Sequence, residues 1–179
     1  MSFTRGVRIG IDVGNARVGV AACDPDGILA TPLKTLRRDL KKNSDRRVLR
    51  KLIEVHEATE IFVGLPKTMS GGSSASTEMA ETYAQALANE LAAEGNPLPI
   101  YLVDERLTTV SAHRSLHEAG VSSRNFKAVV DQVAAVNILQ FSLDTLKADR
   151  SLPGYLVEPR EVSAEDSPHP TRERNGEPE

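Results

Sequence analysis

A carboxylate set in the middle of an apolar strand is the feature that most restricts this chain. Residues 7–13 alternate in type, so Val7, Ile9, Ile11 and Val13 share one face of a strand and Arg8, Gly10, Asp12 and Gly14 share the other. The glycines beside Asp12 leave space above that second face. Burying a carboxylate there is expensive unless it is hydrogen-bonded, ion-paired or bound to a metal. Two roles therefore stand open for Asp12: accepting hydrogen bonds from the turn at Gly14-Asn15, or holding a cation.

The remainder of the chain reads as one α/β unit. Residues 17–23 form a second strand, Asp24-Pro25-Asp26-Gly27 a turn, and residues 28–36 a third strand, which gives an antiparallel meander. Residues 45–58 carry Val48, Leu49, Leu52 and Ile53 at helical spacing. Residues 61–65 and 99–103 are short apolar runs that suit buried strands. Residues 73–94, rich in Ala, Glu and Leu, form a long helix that Gly95-Asn96-Pro97 ends. Further helices are expected over 108–118 and from Asn125 or Phe126 to Leu146. The predicted order is βββαβαβαα: a mixed five-stranded sheet with helices on both faces. The predicted domain covers residues 1–150.

Two further acids fall where such a sheet places ligands. In open α/β sheets, ligands sit beyond the carboxyl ends of the parallel strands. The strand at 99–103 runs straight into Asp104 and Glu105, whose side chains alternate to opposite sides, so one of the two is expected to join Asp12. Asp131 lies in a largely apolar helix, on a face with Ala134, Ala135 and Ile138. Small residues on that face let the helix approach the sheet closely. Three acids from separate segments at one rim suit hard divalent cations such as Mg²⁺ or Mn²⁺. A pair of such ions can activate a water and stabilise the leaving oxygen in phosphodiester cleavage. The pattern points to a nuclease without choosing between DNA and RNA.

Four segments carry a family resemblance. Gly10-Ile11-Asp12-Val13-Gly14-Asn15-Ala16-Arg17-Val18-Gly19-Val20-Ala21 resembles a motif of the form GxDxGxxRxGxA. Val63-Gly64-Leu65-Pro66, Val103-Asp104-Glu105-Arg106-Leu107-Thr108-Thr109, and the stretch 127–140 with Asp131-Gln132-Val133-Ala134-Ala135 resemble three more, in the same order. Together they are similar to the YqgF/RuvX family of RNase H-like bacterial nucleases. The resemblance covers about residues 8–146. It implies an RNase H-like fold, a cytoplasmic location and a role in processing the 5′ end of precursor 16S rRNA. Members of the family were earlier proposed as Holliday junction resolvases, which keeps branched DNA as an alternative substrate. By motif match, Asp12, Glu105 and Asp131 are the expected catalytic, metal-binding acids. Arg17 and Arg106 are candidates for contacting substrate phosphate or bracing the acids. Lys67, in a loop with Gly71-Gly72 and several serines, is a candidate phosphate contact. The family often has a serine directly after the last acid, where this chain has Gln132.

Charge narrows the partners. The net charge of −3 is uneven: the last 22 residues hold seven acids and three bases, while the rest is close to neutral. That tail, with four prolines and no large apolar side chain after Val162, cannot offset its ordering entropy, so residues 151–179 are expected to be mostly disordered. The densest basic stretch holds Arg37, Arg38, Lys41, Lys42, Arg46, Arg47, Arg50 and Lys51. It is either a nucleic-acid footprint or a solvated helix face. With no tryptophan and aromatics at only 4%, binding is expected to rest on phosphate and backbone shape rather than base stacking. His113 and His117 have metal-ligand spacing but no third ligand nearby. No P-loop or nucleophile elbow is present, and no apolar run is long enough to span a membrane. A monomer and a homodimer both remain open. A non-catalytic nucleic-acid-binding factor is the reading from another class. An actin-like ATPase needs two such domains, more than this chain holds.

Overall fold

The computed structural model describes residues 3–108, 126–148 and 154–161, with the side chains of 126–129 left aside. Strands β1 (Arg8–Val13), β2 (Arg17–Cys23) and β3 (Ala30–Arg37) form the expected meander. Helix α1 (Ser44–Val55), strand β4 (Glu60–Leu65), helix α2 (Ala75–Ala93) and strand β5 (Ile100–Asp104) follow. A short 3-10 turn (Glu105–Leu107), helix α3 (Phe126–Lys147) and strand β6 (Gly154–Val157) complete the described chain. The expected helix at 108–118, with His113 and His117, lies outside the described residues.

The sheet order is β3-β2-β1-β4-β5-β6. Strands β1, β4 and β5 are parallel, whereas β2, β3 and β6 are joined antiparallel. Strand alternation divides the core in two. Ile9, Ile11, Val63 and Leu102 face α1 and α2, where they meet Leu49, Tyr83 and Leu87. Phe62 and Val103 face α3, where they meet Ala135, Ile138 and Leu139. The chain is thus a three-layer sandwich, with Asp12 on the α3 side of the sheet.

The sheet has six strands, not the five expected, and the sixth comes from the segment assigned to a disordered tail. The domain therefore extends beyond residue 150. Residues 154–157 gave no strand signal because β6 contributes little burial of its own: only Val157 is buried, while Tyr155 and Leu156 remain about half exposed. Its stability comes from pairing with β5, from Ile100↔Val157 to Val103↔Gly154. The third strand also starts two residues later than expected. The Asp24 carboxylate accepts from the Ile28 and Leu29 N–H groups at 2.8–3.2 Å and holds them in the turn, leaving both side chains exposed. Helix α2 opens on a capping box between Ser74 and Thr77. Gly95, at φ +76°, ends it.

Candidate active site

Three glycines on the sheet let α3 lie almost on the backbone of the central strands. A Cβ at Gly19 would sit 2.0 Å from the Asp131 carbonyl oxygen, one at Gly10 2.6 Å from the Ala135 carbonyl oxygen, and one at Gly64 2.6 Å from Glu105 Oε1. The three lie on neighbouring strands β2, β1 and β4, so they make a channel across the sheet for the helix that carries Asp131. The sequence pointed to the small residues of the helix and to the glycines beside Asp12, and not to Gly19 or Gly64. The glycines of the sheet contribute equally, and their signal is a glycine at the α3-facing position of each of three adjacent strands.

Asp12 is on β1 in register with Gly19, on the same face as α3. Glu105 enters the same space from the end of β5 and hydrogen-bonds to Asp12. Burial, then the charge of Asp131, push the Asp12 carboxyl up to about 6, against an opposing pull from the Glu105 hydrogen bond. Burial, then the charge of Asp12, push the Glu105 carboxyl up to about 7. The two acids therefore share a proton near neutral pH, with Glu105 the donor. Asp131 is close enough for its charge to act on Asp12 and is itself held by Arg17, whose Nε donates to Oδ2 at 2.6 Å.

Strand alternation separates Asp104 from this group. Its carboxylate turns to the other side and accepts from Arg106, with the shortest contact, from Nη2, at 2.6 Å. The side-chain hydrogen bond from Arg106 holds Asp104 below the ordinary carboxylate range. Arg106 thus braces Asp104 rather than the Asp12 group. Lys67 also lies on that side, 6.0 Å from the centre of the Tyr155 ring. Of the six candidate residues, the structure brings Asp12, Glu105, Asp131 and Arg17 together and leaves Arg106 and Lys67 on the far side of the rim.

The donor set suits a hard cation. Mg²⁺ is commonly held by one or two carboxylates and keeps its remaining positions for water and phosphate. Asp12 and Glu105 supply that pair. A divalent ion would replace their shared proton and relieve the repulsion that raises both groups. No group of three His, Cys, Asp or Glu side chains among the described residues is already gathered tightly enough to cage an ion. The third acid, Asp131, is engaged with Arg17.

Arg38, which the sequence placed only in the basic stretch, fixes the turn between β1 and β2. Its Nη1 donates to the Gly14 carbonyl at 3.1 Å, and its backbone N–H donates to the Ala16 carbonyl at 2.9 Å. Arg38 also lies 3.5 Å from buried Asp45 and over the Tyr83 ring.

The model of the family described as "RuvX: Holliday junction resolvase" matches residues 6–145, a span that includes all three acids. The chain belongs to the RuvX family. With that family it is a nuclease. A protein of Mycolicibacterium smegmatis named "Putative pre-16S rRNA nuclease" is 54% identical to this RuvX-family chain over 146 residues, 80% of this chain and 84% of its own length. One of Streptomyces avermitilis with the same name is 43% identical over 159 residues, 88% of this chain and 98% of its own. Among solved structures, Thermus thermophilus RuvC in complex with a Holliday junction substrate superposes with a TM-score of 0.52 at 15% identity, covering 83% of this chain and 99% of RuvC. That likeness establishes the RNase H-like architecture of the fold. No described helix is long and apolar enough to cross a membrane.

Proposed function

We propose that this chain is a divalent-metal-dependent endonuclease that acts in the cytoplasm on the 5′ end of precursor 16S rRNA. The observation that carries the reading is the partly buried Asp12–Glu105 pair at the carboxyl rim of the sheet, with Asp131 beside it. The names of relatives at 43–54% identity support the RNA substrate.

Asp12, Glu105 and Asp131 would hold Mg²⁺ or Mn²⁺. When bound, such ions activate a water for attack on phosphorus and stabilise the leaving oxygen. The chain's own contribution is position and charge. Asp12 is fixed by the central strand, and Glu105 by the turn that follows β5. Asp131 is set by the depth at which α3 rests in the glycine channel. Arg17 orients Asp131, and its side chain is 38% exposed, so it can also meet a substrate phosphate.

The test is cleavage of a 5′-extended 16S transcript with Mg²⁺ or Mn²⁺, by wild type and by Asp12→Asn. Cleavage by the wild type and none by a variant that melts no lower than wild type is the expected result. Full cleavage by Asp12→Asn would end the metal-acid mechanism. The family description favours a second reading, resolution of four-way DNA junctions, with the same acids. Paired nicks in a junction, with the transcript left intact, would select it.

A further inference from the structure

The basic stretch from Arg37 to Lys51 separates into two groups with different uses. Arg46 Nε donates to Glu90 at 2.9 Å, Arg50 Nε to Glu94 at 2.8 Å, and Lys51 Nζ to Glu54 at 2.8 Å. Arg38 is turned inward on Asp45 and the Gly14 carbonyl. Arg38, Arg46 and Arg50 fasten α1 to its neighbours, and Lys51 pairs within the helix. Arg37, Lys41, Lys42 and Arg47 are exposed and pair with no acid among the described residues.

Three of the unpaired four lie at the rim that holds Asp12. Strand β3 runs in the same direction as β1, so its end at Arg37 comes to the same edge of the sheet. Arg37 is the direct cross-strand partner of Arg17. Directly opposed residues project to one face, so both guanidinium groups lie on the α3 side with Asp12. Like charges opposed in this way are destabilising. Asp131 compensates Arg17 at 2.6 Å, and among the described residues no acid compensates Arg37. The turn after β3 is rigidly built. The Asp39 carboxylate accepts from the backbone N–H groups of Lys41 and Lys42 at 3.1 and 3.0 Å and from Ser44 Oγ at 2.6 Å. Arg38 ties that turn to the loop between β1 and β2. Lys41 and Lys42 are therefore held at a fixed place relative to Asp12.

We propose that Arg37, Lys41 and Lys42 form a phosphate track that grips the RNA strand flanking the scissile bond, leading away from the acids across β2 and β3. Strands lie about 4.8 Å apart, so Arg37 stands roughly 10 Å from the strand of Asp12. A strand crossing that distance brings to Arg37 a phosphate a few nucleotides from the reacting one, with Lys41 and Lys42 beyond. The track takes its polymer from the nuclease reading, but what it predicts is binding.

The test is binding of a labelled stem-loop RNA to the full chain in chelator, between 50 and 200 mM salt, with folding checked by melting. The triple variant Arg37→Gln, Lys41→Gln, Lys42→Gln is expected to show a salt slope smaller by about 2–3. Over that fourfold salt range the wild-type affinity then falls about 16–64-fold more than the variant's. With metal present, the variant raises KM and leaves kcat within about twofold. Arg37→Lys with Lys41→Arg and Lys42→Arg restores the slope, and Arg47→Gln, off the track, leaves it at the wild-type value. An unchanged slope in the triple variant overturns the track, and intact cleavage in the same sample keeps the nuclease reading. A reduced slope with no cleavage of any RNA by wild type supports the track and removes that reading. A slope reduced for duplex DNA but not for RNA also overturns the proposal.

Discussion

Gly19→Ala should damage catalysis far more than stability. The added methyl would stand 2.0 Å from the Asp131 carbonyl oxygen, where ordinary contact begins at 3.4 Å. The obstacle is helix backbone, so no side-chain rotation relieves it. Helix α3 must lift by about 1.4 Å at Asp131, or β2 must sink by the same distance. Overpacking of this kind costs about 1–3 kcal/mol. For a chain of this size that lowers the melting temperature by roughly 2–12 °C. Catalysis is more sensitive, because displacing a catalytic group by about 1 Å can cost on the order of 100-fold. The assay is metal-dependent cleavage under saturating RNA, with the fold monitored by circular dichroism. Gly64→Ala is the companion variant, since its methyl would meet the flexible end of Ile138 and Glu105 Oε1 rather than helix backbone. A Gly19→Ala protein with wild-type kcat and an unchanged melting curve would refute the claim that helix depth positions Asp131.

The shared proton of Asp12 and Glu105 predicts how stability varies with pH. Their carboxyls rise from 3.8 to about 6 and from 4.5 to about 7 on folding, so between about pH 4 and pH 7 the folded protein binds more protons than the unfolded chain. Stability of the metal-free protein is therefore highest at the acid end of that window and is lost as pH rises through it, by on the order of 3 kcal/mol for Asp12. Melting in chelator from pH 5 to pH 8 should show the decline, Glu105→Gln should flatten it, and Mn²⁺ should raise the melting temperature at pH 8 much more than at pH 5. A wild-type pH profile that matches that of Glu105→Gln would contradict the pairing. Asp45→Ala should lower stability by about 3–5 kcal/mol, because it leaves the buried Arg38 guanidinium without its acid. Thermal melting checks this against Lys51→Ala, whose pair with Glu54 is exposed and whose melt should not move.

What the sequence revealed follows from the range of the forces involved. The meander, the two parallel strands and the helices were legible because each has its own periodicity. Asp12 stood out because period-2 alternation places it opposite Ile11 and between glycines. The same alternation required Asp104 and Glu105 to part, and the structure sends Glu105 to Asp12 and Asp104 to Arg106. Strand β6 was hidden because its stability depends on the open edge of β5. The division of the basic stretch was hidden too, since Glu90 and Glu94 lie some 40 residues beyond Arg46 and Arg50. Arg106 was put forward by motif match and Lys67 by its glycine- and serine-containing loop, and the structure places both with Asp104, on the other side of the sheet from Glu105.

Anomalous diffraction from crystals grown with Mn²⁺ tests the central claim most directly. The account predicts a metal peak about 2.1 Å from a carboxylate oxygen of both Asp12 and Glu105, with Asp131 turned from Arg17 toward it. A peak at Asp104 instead, or none at the rim under conditions where the protein cleaves RNA, would contradict it.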